Sequence, residues 1–137
     1  MLVLDKSIVG PWIAKQTNMI WKPEGAQTIG LAKDGELVAG VWYDDYNSQA
    51  VTTHIAITGS ITKQYLRVIF DYPFMQLGVQ KIIAPVLEDN SQSMKLVEKM
   101  GFHQETRLKN VHPVGDMLFY VMDKTDCKYL GARYGKK

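Results

Sequence analysis

The sequence predicts a single α/β (α+β) domain built on a mixed central β-sheet with helices on both faces. In the first half apolar residues alternate as in strands, whereas residues 60–77 carry them at helical spacing. The short apolar run Lys81–Leu87 that follows is typical of a buried parallel strand. With 137 residues, 46% of them hydrophobic, we expect one domain over residues 1–123 and a basic, partly ordered tail over residues 124–137.

Composition narrows the classes of protein to which this chain could belong. The net charge is only +2, so no nucleic-acid or membrane surface is required. The single cysteine, Cys127, excludes an internal disulfide and suits a reducing cytoplasm. No segment approaches the roughly 20 apolar residues of a membrane span. We therefore expect a cytoplasmic protein with no membrane partner.

The first half of the chain predicts a short strand, a helix and an antiparallel meander. Residues 1–4 form the strand, and Asp5 with Ser7 offers a cap for a helix that tolerates Pro11 if it begins near Ile8. Asp34-Gly35 is a strong turn signal between strands over residues 27–33 and 36–45, and residues 50–58 give the third strand.

The second half predicts a crossover and a hairpin. A long helix over residues 60–77, kinked at Pro73 and ended by Gly78, should lead into Lys81–Leu87, parallel to the strand before the helix. Residues 102–111 and 117–123 then pair as a hairpin joined by residues 112–116.

The stretch between these units, residues 88–102, predicts one well-terminated helix. Asn90 is a good N-cap, Met94, Val97 and Met100 recur at helical spacing, and Gly101 suits a left-handed C-cap. From the residues alone, a capping role for Asn90 is favoured over a ligand contact, and both can hold at once.

The same stretch carries a family resemblance. Asn90-x-x-Ser93 followed by Leu96-Val-Glu-Lys-Met-Gly-Phe102 resembles the last conserved block of the GNAT N-acetyltransferases, in particular the branch with ribosomal-protein and antibiotic acetyltransferases. Residues 66–78 with 81–83 are similar to the family's long helix and next strand, and residues 102–107, 115–116 and 120–122 to its final hairpin. The resemblance implies transfer of acetyl from acetyl-CoA to a primary amine of a protein or small molecule. Short members of this kind also suggest a phage origin and hence the host cytoplasm.

A cofactor site is predicted where residues 50–58 hand over to the long helix, because free backbone amides and the helix dipole attract a phosphate there. The resemblance assigns the pyrophosphate of acetyl-CoA to Gly59, Ser60, Ile61 and Thr62. It also aligns the pantetheine arm along Ile55 and Ile57 and places it against Asn90. The loop has one Gly and no Arg, which departs from the family's Gln/Arg-x-x-Gly-x-Gly/Ala pattern. Plain helix capping by Gly59 and Ser60 is the alternative.

For proton transfer, the family's acidic Tyr position is occupied by Val97, so the resemblance leaves Ser93 as the acid that protonates the leaving thiolate. His54 is the first choice for the base because imidazole titrates near neutrality; a strand-face His held by a neighbour is the alternative. Weaker candidates for the base are Glu105, Asp116 and Tyr120. His103 and His112 do not have metal-ligand spacing, and no metal is expected.

The acceptor contacts are the least determined part of the prediction. Trp21 and Tyr120 are the candidates for substrate binding, although Trp21 could instead plug the edge of the core. Apolar residues of the final hairpin could support a homodimer.

Two other functions stay open. One is a GNAT-like fold that has lost catalysis and binds a protein partner, which the short phosphate loop and the absent Tyr favour. The other is nucleic-acid binding through the basic tail with Trp or Tyr stacking, which the nearly balanced charge disfavours.

Overall fold

The structure, a computed structural model, describes residues 1–130 and confirms the predicted fold class. Its one sheet has the strand order β1-β2-β3-β4-β5-β7-β6, in which only β4 and β5 are parallel. The elements of the described chain are β1 Leu2–Val3, α1 Lys6–Thr17, β2 Gln27–Lys33, β3 Glu36–Asp44, β4 Ala50–Ile57, α2 Lys63–Asp71 with a π-helical turn Tyr72–Gln76, β5 Lys81–Leu87, α3 Ser91–Met100, β6 His103–His112, β7 Gly115–Asp123 and a 3₁₀ turn Lys124–Asp126.

The N-terminal meander follows the predicted turns. Asp34 and Gly35 both have positive φ, 53° and 81°, as a tight hairpin turn between β2 and β3 requires. The helix α1 is capped by Asp5, whose carboxylate accepts from the amide of Ser7. Because α1 begins at Lys6 and not near Ile8, Pro11 lies beyond its first turn.

The long helix differs from the prediction at both ends. It begins at Lys63 and not at Ser60, because the Thr62 hydroxyl accepts from the Tyr65 amide at 3.0 Å and so makes Thr62 the N-cap. At Tyr72 the helix changes into a π-helical turn, in which the Leu77 amide donates to the Tyr72 carbonyl. The irregularity expected at Pro73 thus takes the form of a π-helical turn that contains the proline.

Helices cover both faces of the sheet and define two cores. Packing of α2 and α3 against one face gives the larger core, which contains Tyr65, Phe70 and Val97. Packing of α1 on the other face gives the smaller core around Ile13 and Trp42. The close approach of α1 depends on two glycines, since a Cβ at Gly30 or Gly40 would lie within 3.0 Å of the helix side chains.

The first part of the predicted tail packs onto the larger core. Tyr129 is buried and stacks on Phe70 with the ring centroids 4.7 Å apart. The rest of that predicted tail, residues 131–137, lies outside the described residues. Within residues 1–130, no helix has the length and apolar character needed to cross a bilayer.

Candidate active site

The two parallel strands separate soon after they meet, and this opens a cleft in the sheet. Their pairing covers only Ala50↔Lys81, Val51↔Ile82 and Thr52↔Ile83. Beyond these pairs, β4 stays bonded to β3, and β5 stays bonded to β7 as far as Leu87. Pro85 lies in this separated part of β5, where a missing N–H breaks no ladder towards β4.

The cleft has two adjoining parts that share Ile55, Asn90 and Ser93. The inner cleft lies at the apex where the strands separate. The outer cleft runs along β4 and the start of α3. Besides the three shared residues, the inner cleft is lined by Thr17, Met19, Thr53, His54, Ala84, Pro85, Val86, Leu87 and Val97. The outer cleft adds Gln16, Ala56, Ile57, Thr58, Gln92 and Leu96.

Five of the residues predicted from the sequence are brought together in this cleft. They are His54, Ile55, Ile57, Asn90 and Ser93. The sequence separates the first three from the last two by a complete helix and strand, so it is the crossover that brings them into one cleft. The other predicted site residues line neither part of the cleft.

Asn90 has the predicted capping role. Its side-chain oxygen accepts from the amide of Ser93 at 3.0 Å, which fixes the first turn of α3 beside the cleft. The Asn90 side chain can still reach a ligand through its amide nitrogen, because only its oxygen is used by the cap. A contact with the pantetheine arm stays a prediction.

His54 is held on the sheet face that packs against α1. Its ring lies 4.5 Å from the ring of Trp42, its direct neighbour on β3, and its buried Nδ1 has no hydrogen-bond partner within residues 1–130. Burial lowers the pKa of His54 from 6.5 to about 4, although the nearby Asp45 opposes this change. The imidazole is therefore neutral at about pH 7, and its ring nitrogens are weak bases.

The predicted phosphate loop is built differently from the expectation. The amides of Thr58 and Gly59 both donate to the Val38 carbonyl, so the Gly59 amide is occupied. No backbone carbonyl of residues 1–130 accepts from Ser60, Ile61 or Thr62.

The first turn of α2 adds a group that the sequence reasoning missed. Lys63 is exposed at the first helical position, beside the cap Thr62. An ammonium there can supplement the free amides and the helix dipole that attract a phosphate. The sequence signal for this group is a Lys directly after the cap Thr62, and a helix that begins at Ser60 does not give Lys63 this position.

The weaker candidates for the base are engaged elsewhere. Asp116 accepts from Arg107 at 2.7 Å, and this contact lowers the Asp116 pKa. Glu105, on the edge strand β6, pairs with Lys81 at the start of β5, with the ammonium nitrogen 3.6 Å from the carboxylate. Tyr120 is only 2% exposed, and burial together with its hydrogen bond to the Glu98 carboxylate raises its pKa to about 12.

Trp21 packs as an edge plug of the smaller core. Its ring meets Trp42 edge-on at 4.9 Å and covers Gly10, where a Cβ would collide with the indole. This is the packing alternative considered for the sequence. An acceptor contact by Trp21 stays a prediction.

Thr53 is the second residue that the sequence reasoning missed. It lines the inner cleft, it is 1% exposed, and its hydroxyl has no hydrogen-bond partner in the described chain. In the sequence it is one of several Thr residues in an alternating strand, so no local signal distinguishes it.

As to metals, the described part of the chain has no group of three or more His, Cys, Asp or Glu side chains that could hold an ion.

The architecture described above is a GNAT-like fold, and comparison with solved structures supports this. A spermidine N-acetyltransferase (SpeG F149A) from Vibrio cholerae matches with a TM-score of 0.71 at 16% identity, over 94% of this chain and 96% of that chain. The ribosomal-protein-S5-alanine acetyltransferase from Vibrio fischeri matches with a TM-score of 0.63 at 18% identity, over 77% of this chain and 65% of that chain. The Campylobacter jejuni N-acetyltransferase PseH, in complex with acetyl coenzyme A, matches with a TM-score of 0.57 at 13% identity, over 73% of this chain and 69% of that chain.

These likenesses concern the fold. The identities are low, and the chain spans less than two thirds of the Vibrio fischeri protein's length, 65%. No family model matches the sequence, and neither does any curated protein sequence.

Proposed function

We propose that this protein is an acetyl-CoA-dependent N-acetyltransferase that acts on a primary amine of a protein or small molecule. The observation that carries the proposal is the cleft between β4 and β5, which gathers His54, Asn90 and Ser93 at the point where the strands separate. A cleft of this form within a GNAT-like fold suits a long, narrow donor such as acetyl-CoA.

The two parts of the cleft differ in what they can hold. The outer cleft leads from Ser93 along β4 to Thr58, and the next residues of the chain include Ser60 and Ile61, whose amides donate to no backbone carbonyl of residues 1–130, and the exposed Lys63. We assign the pantetheine arm to the outer cleft and the pyrophosphate to these amides and Lys63. The thioester then lies in the inner cleft.

In the proposed reaction the amine lone pair attacks the carbonyl carbon of the thioester. A C–N bond forms, the C–S bond breaks, the amine loses a proton, and the leaving thiolate takes one. We assign His54 as the group that accepts the amine proton and the Ser93 hydroxyl as the group that donates a proton to the thiolate. Solvent then carries the proton from the His54 imidazolium back to Ser93, so both side chains return to their starting states. A neutral imidazole of low pKa is a weak base, but the amine nitrogen becomes strongly acidic once it is bonded to the carbonyl carbon.

A titration calorimeter tests the proposal with acetyl-CoA and CoA as ligands. We expect a dissociation constant in the micromolar range, about −8 kcal/mol. Lys63→Glu should weaken binding of both ligands by about tenfold or more, because the pyrophosphate then faces a carboxylate. Lys33→Glu, the same charge change on the exposed hairpin turn, is the control. Absence of heat with a folded sample up to about millimolar ligand would refute the proposal.

A catalytically inactive, protein-binding form of the fold is the second candidate. Apolar side chains are exposed on β6 and the following turn: Leu108 is 45% exposed, Val111 51% and Val114 38%. Such a group on an edge strand favours a protein contact, with a second copy of this chain as one occupant. Acetyl-CoA binding without release of CoA in the presence of any amine tested would favour this candidate, and sedimentation would show whether the chain dimerises.

A further inference from the structure

We propose that the Thr53 hydroxyl donates a hydrogen bond to the carbonyl oxygen of the donor thioester and thereby distinguishes acyl-CoA from CoA. The inference rests on the proposed function, because it assumes that the thioester lies in the inner cleft. It concerns a residue that neither the sequence pattern nor the resemblance assigned.

Thr53 stands at the apex of the cleft. Thr52↔Ile83 is the last parallel pair, so Thr53 is the first residue of β4 that has lost its β5 neighbour. The residue is 1% exposed, and its Oγ1 is buried without a hydrogen-bond partner among residues 1–130. A buried hydroxyl without a partner opposes folding, so its presence in a cleft favours a role in binding.

The surroundings indicate what this hydroxyl would bind. Besides Thr53, the polar residues of the inner cleft are Thr17, His54, Asn90 and Ser93; the rest of its lining is apolar, and it contains no Lys or Arg. A charged phosphate in such apolar surroundings would lose its hydration without compensation. The carbonyl of a thioester is small, uncharged and needs one donor, and a hydroxyl supplies it.

The alternation of β4 also separates the two polar groups at the apex. Thr53 shares its sheet face with Val51 and Ile55 of the larger core, whereas His54 shares the opposite face with Ala56 of the smaller core. Thr53 can therefore hold the acyl group from one face while His54 receives the proton of an amine that arrives from the other.

The test compares Thr53→Val with Thr28→Val. Thr28 is a matched control, because it is 4% exposed, its hydroxyl also has no partner within residues 1–130, and it lies on β2 outside the cleft. Each variant removes an unpaired buried hydroxyl at nearly constant shape, so both should melt about 2–6 °C higher than the parent. Only Thr53→Val should lower the ratio of acetyl-CoA to CoA affinity, by about three- to tenfold.

A spectroscopic measurement separates hydrogen bonding from packing. Acetyl-CoA labelled with ¹³C at the carbonyl should show a downfield shift on binding to the parent, which Thr53→Val abolishes and Thr53→Ser and Thr28→Val retain. If the parent binds acetyl-CoA but Thr53→Val leaves both the affinity ratio and the carbon shift unchanged, the role of Thr53 is refuted and the acetyltransferase proposal stands. If the parent binds neither acetyl-CoA nor CoA, both proposals fall.

Discussion

Acidification should destabilise the protein through His54 before most carboxylates are protonated. The pKa of His54 is 6.5 in an unfolded chain and about 4 in the folded protein, because the ring is buried against Trp42. Between these values the unfolded chain binds a proton at His54 and the folded chain does not. The free energy of unfolding therefore rises with pH across this window, and the contribution is lost as pH falls from about 6.5 towards 4.

The size of the effect follows from the two pKa values. Their difference corresponds to at most about 3 kcal/mol, and partial solvent access to the ring reduces it to about 2 kcal/mol. His54→Phe keeps an aromatic ring beside Trp42 and removes the titration. The gap in stability between this variant and the parent should thus change by about 2 kcal/mol in favour of the variant from pH 7 to 4.

Urea unfolding at a series of pH values measures this gap. His103→Gln, which removes an exposed imidazole from the edge strand β6, is the control and should follow the parent. Parallel curves for the parent and His54→Phe over the whole range would refute the burial argument. The ring carbons of His54 in an NMR titration should give a midpoint near 4 in the folded protein.

Four further predictions concern other parts of the structure. Gly115→Ala should cost about 1–3 kcal/mol in urea unfolding, since a Cβ would collide with the Glu88 carboxylate at a positive φ; Gly35→Ala, with open space around it, should cost about 1 kcal/mol, and equal losses would contradict the contact. Tyr129→Ala should cost about 3–5 kcal/mol because the ring is buried on Phe70, and a loss under about 1 kcal/mol would show that residues 124–130 are dispensable to the core. Tyr120→Phe should cost only about 1 kcal/mol, because its partner Glu98 is exposed, and should leave kcat/KM within about twofold; a large fall would restore Tyr120 to the acceptor site. Under the proposed function, kcat/KM should rise about tenfold per pH unit up to the pKa of the acceptor amine, because a weak base such as His54 cannot deprotonate an ammonium; a plateau from about pH 7 would contradict this.

The fold was predictable because its signals are local. Asp34-Gly35 specifies a turn that only residues tolerant of positive φ can form, and Gly101, with φ 111°, ends α3 where the sequence indicated. The apolar run Lys81–Leu87 was correctly interpreted as a strand parallel to β4. Each of these depends on a few neighbouring residues, so pattern alone suffices.

The candidate site was only partly predictable because it depends on contacts between distant residues. The sequence indicates a helix start at Asn90 and Ser93, but no local sequence pattern shows that Thr53 lines the same cleft. The start of α2 is not decided by local sequence, because Ser60 and Thr62 are both good N-caps. In the structure the Val38 carbonyl accepts from the amides of Thr58 and Gly59, which extends the loop so that the helix is capped by Thr62 and not by Ser60. The environment of the Tyr120 hydroxyl likewise depends on a distant residue, because it donates to the carboxylate of Glu98, 22 positions away.

The three residue pairs that join β4 to β5 also have a mechanical meaning. They are the only ladder between two leaves of the described sheet, one made of β1 to β4 and the other of β5, β7 and β6. The β4–β5 ladder ends at Thr52↔Ile83, and further out the leaves are joined through the larger core beneath them and not by backbone pairing of the described strands. A molecule bound in the cleft would contact both leaves and so restrict their relative motion. Amides of β4 beyond Thr52 should then exchange their hydrogens more slowly, whereas those between β2 and β3 should not change.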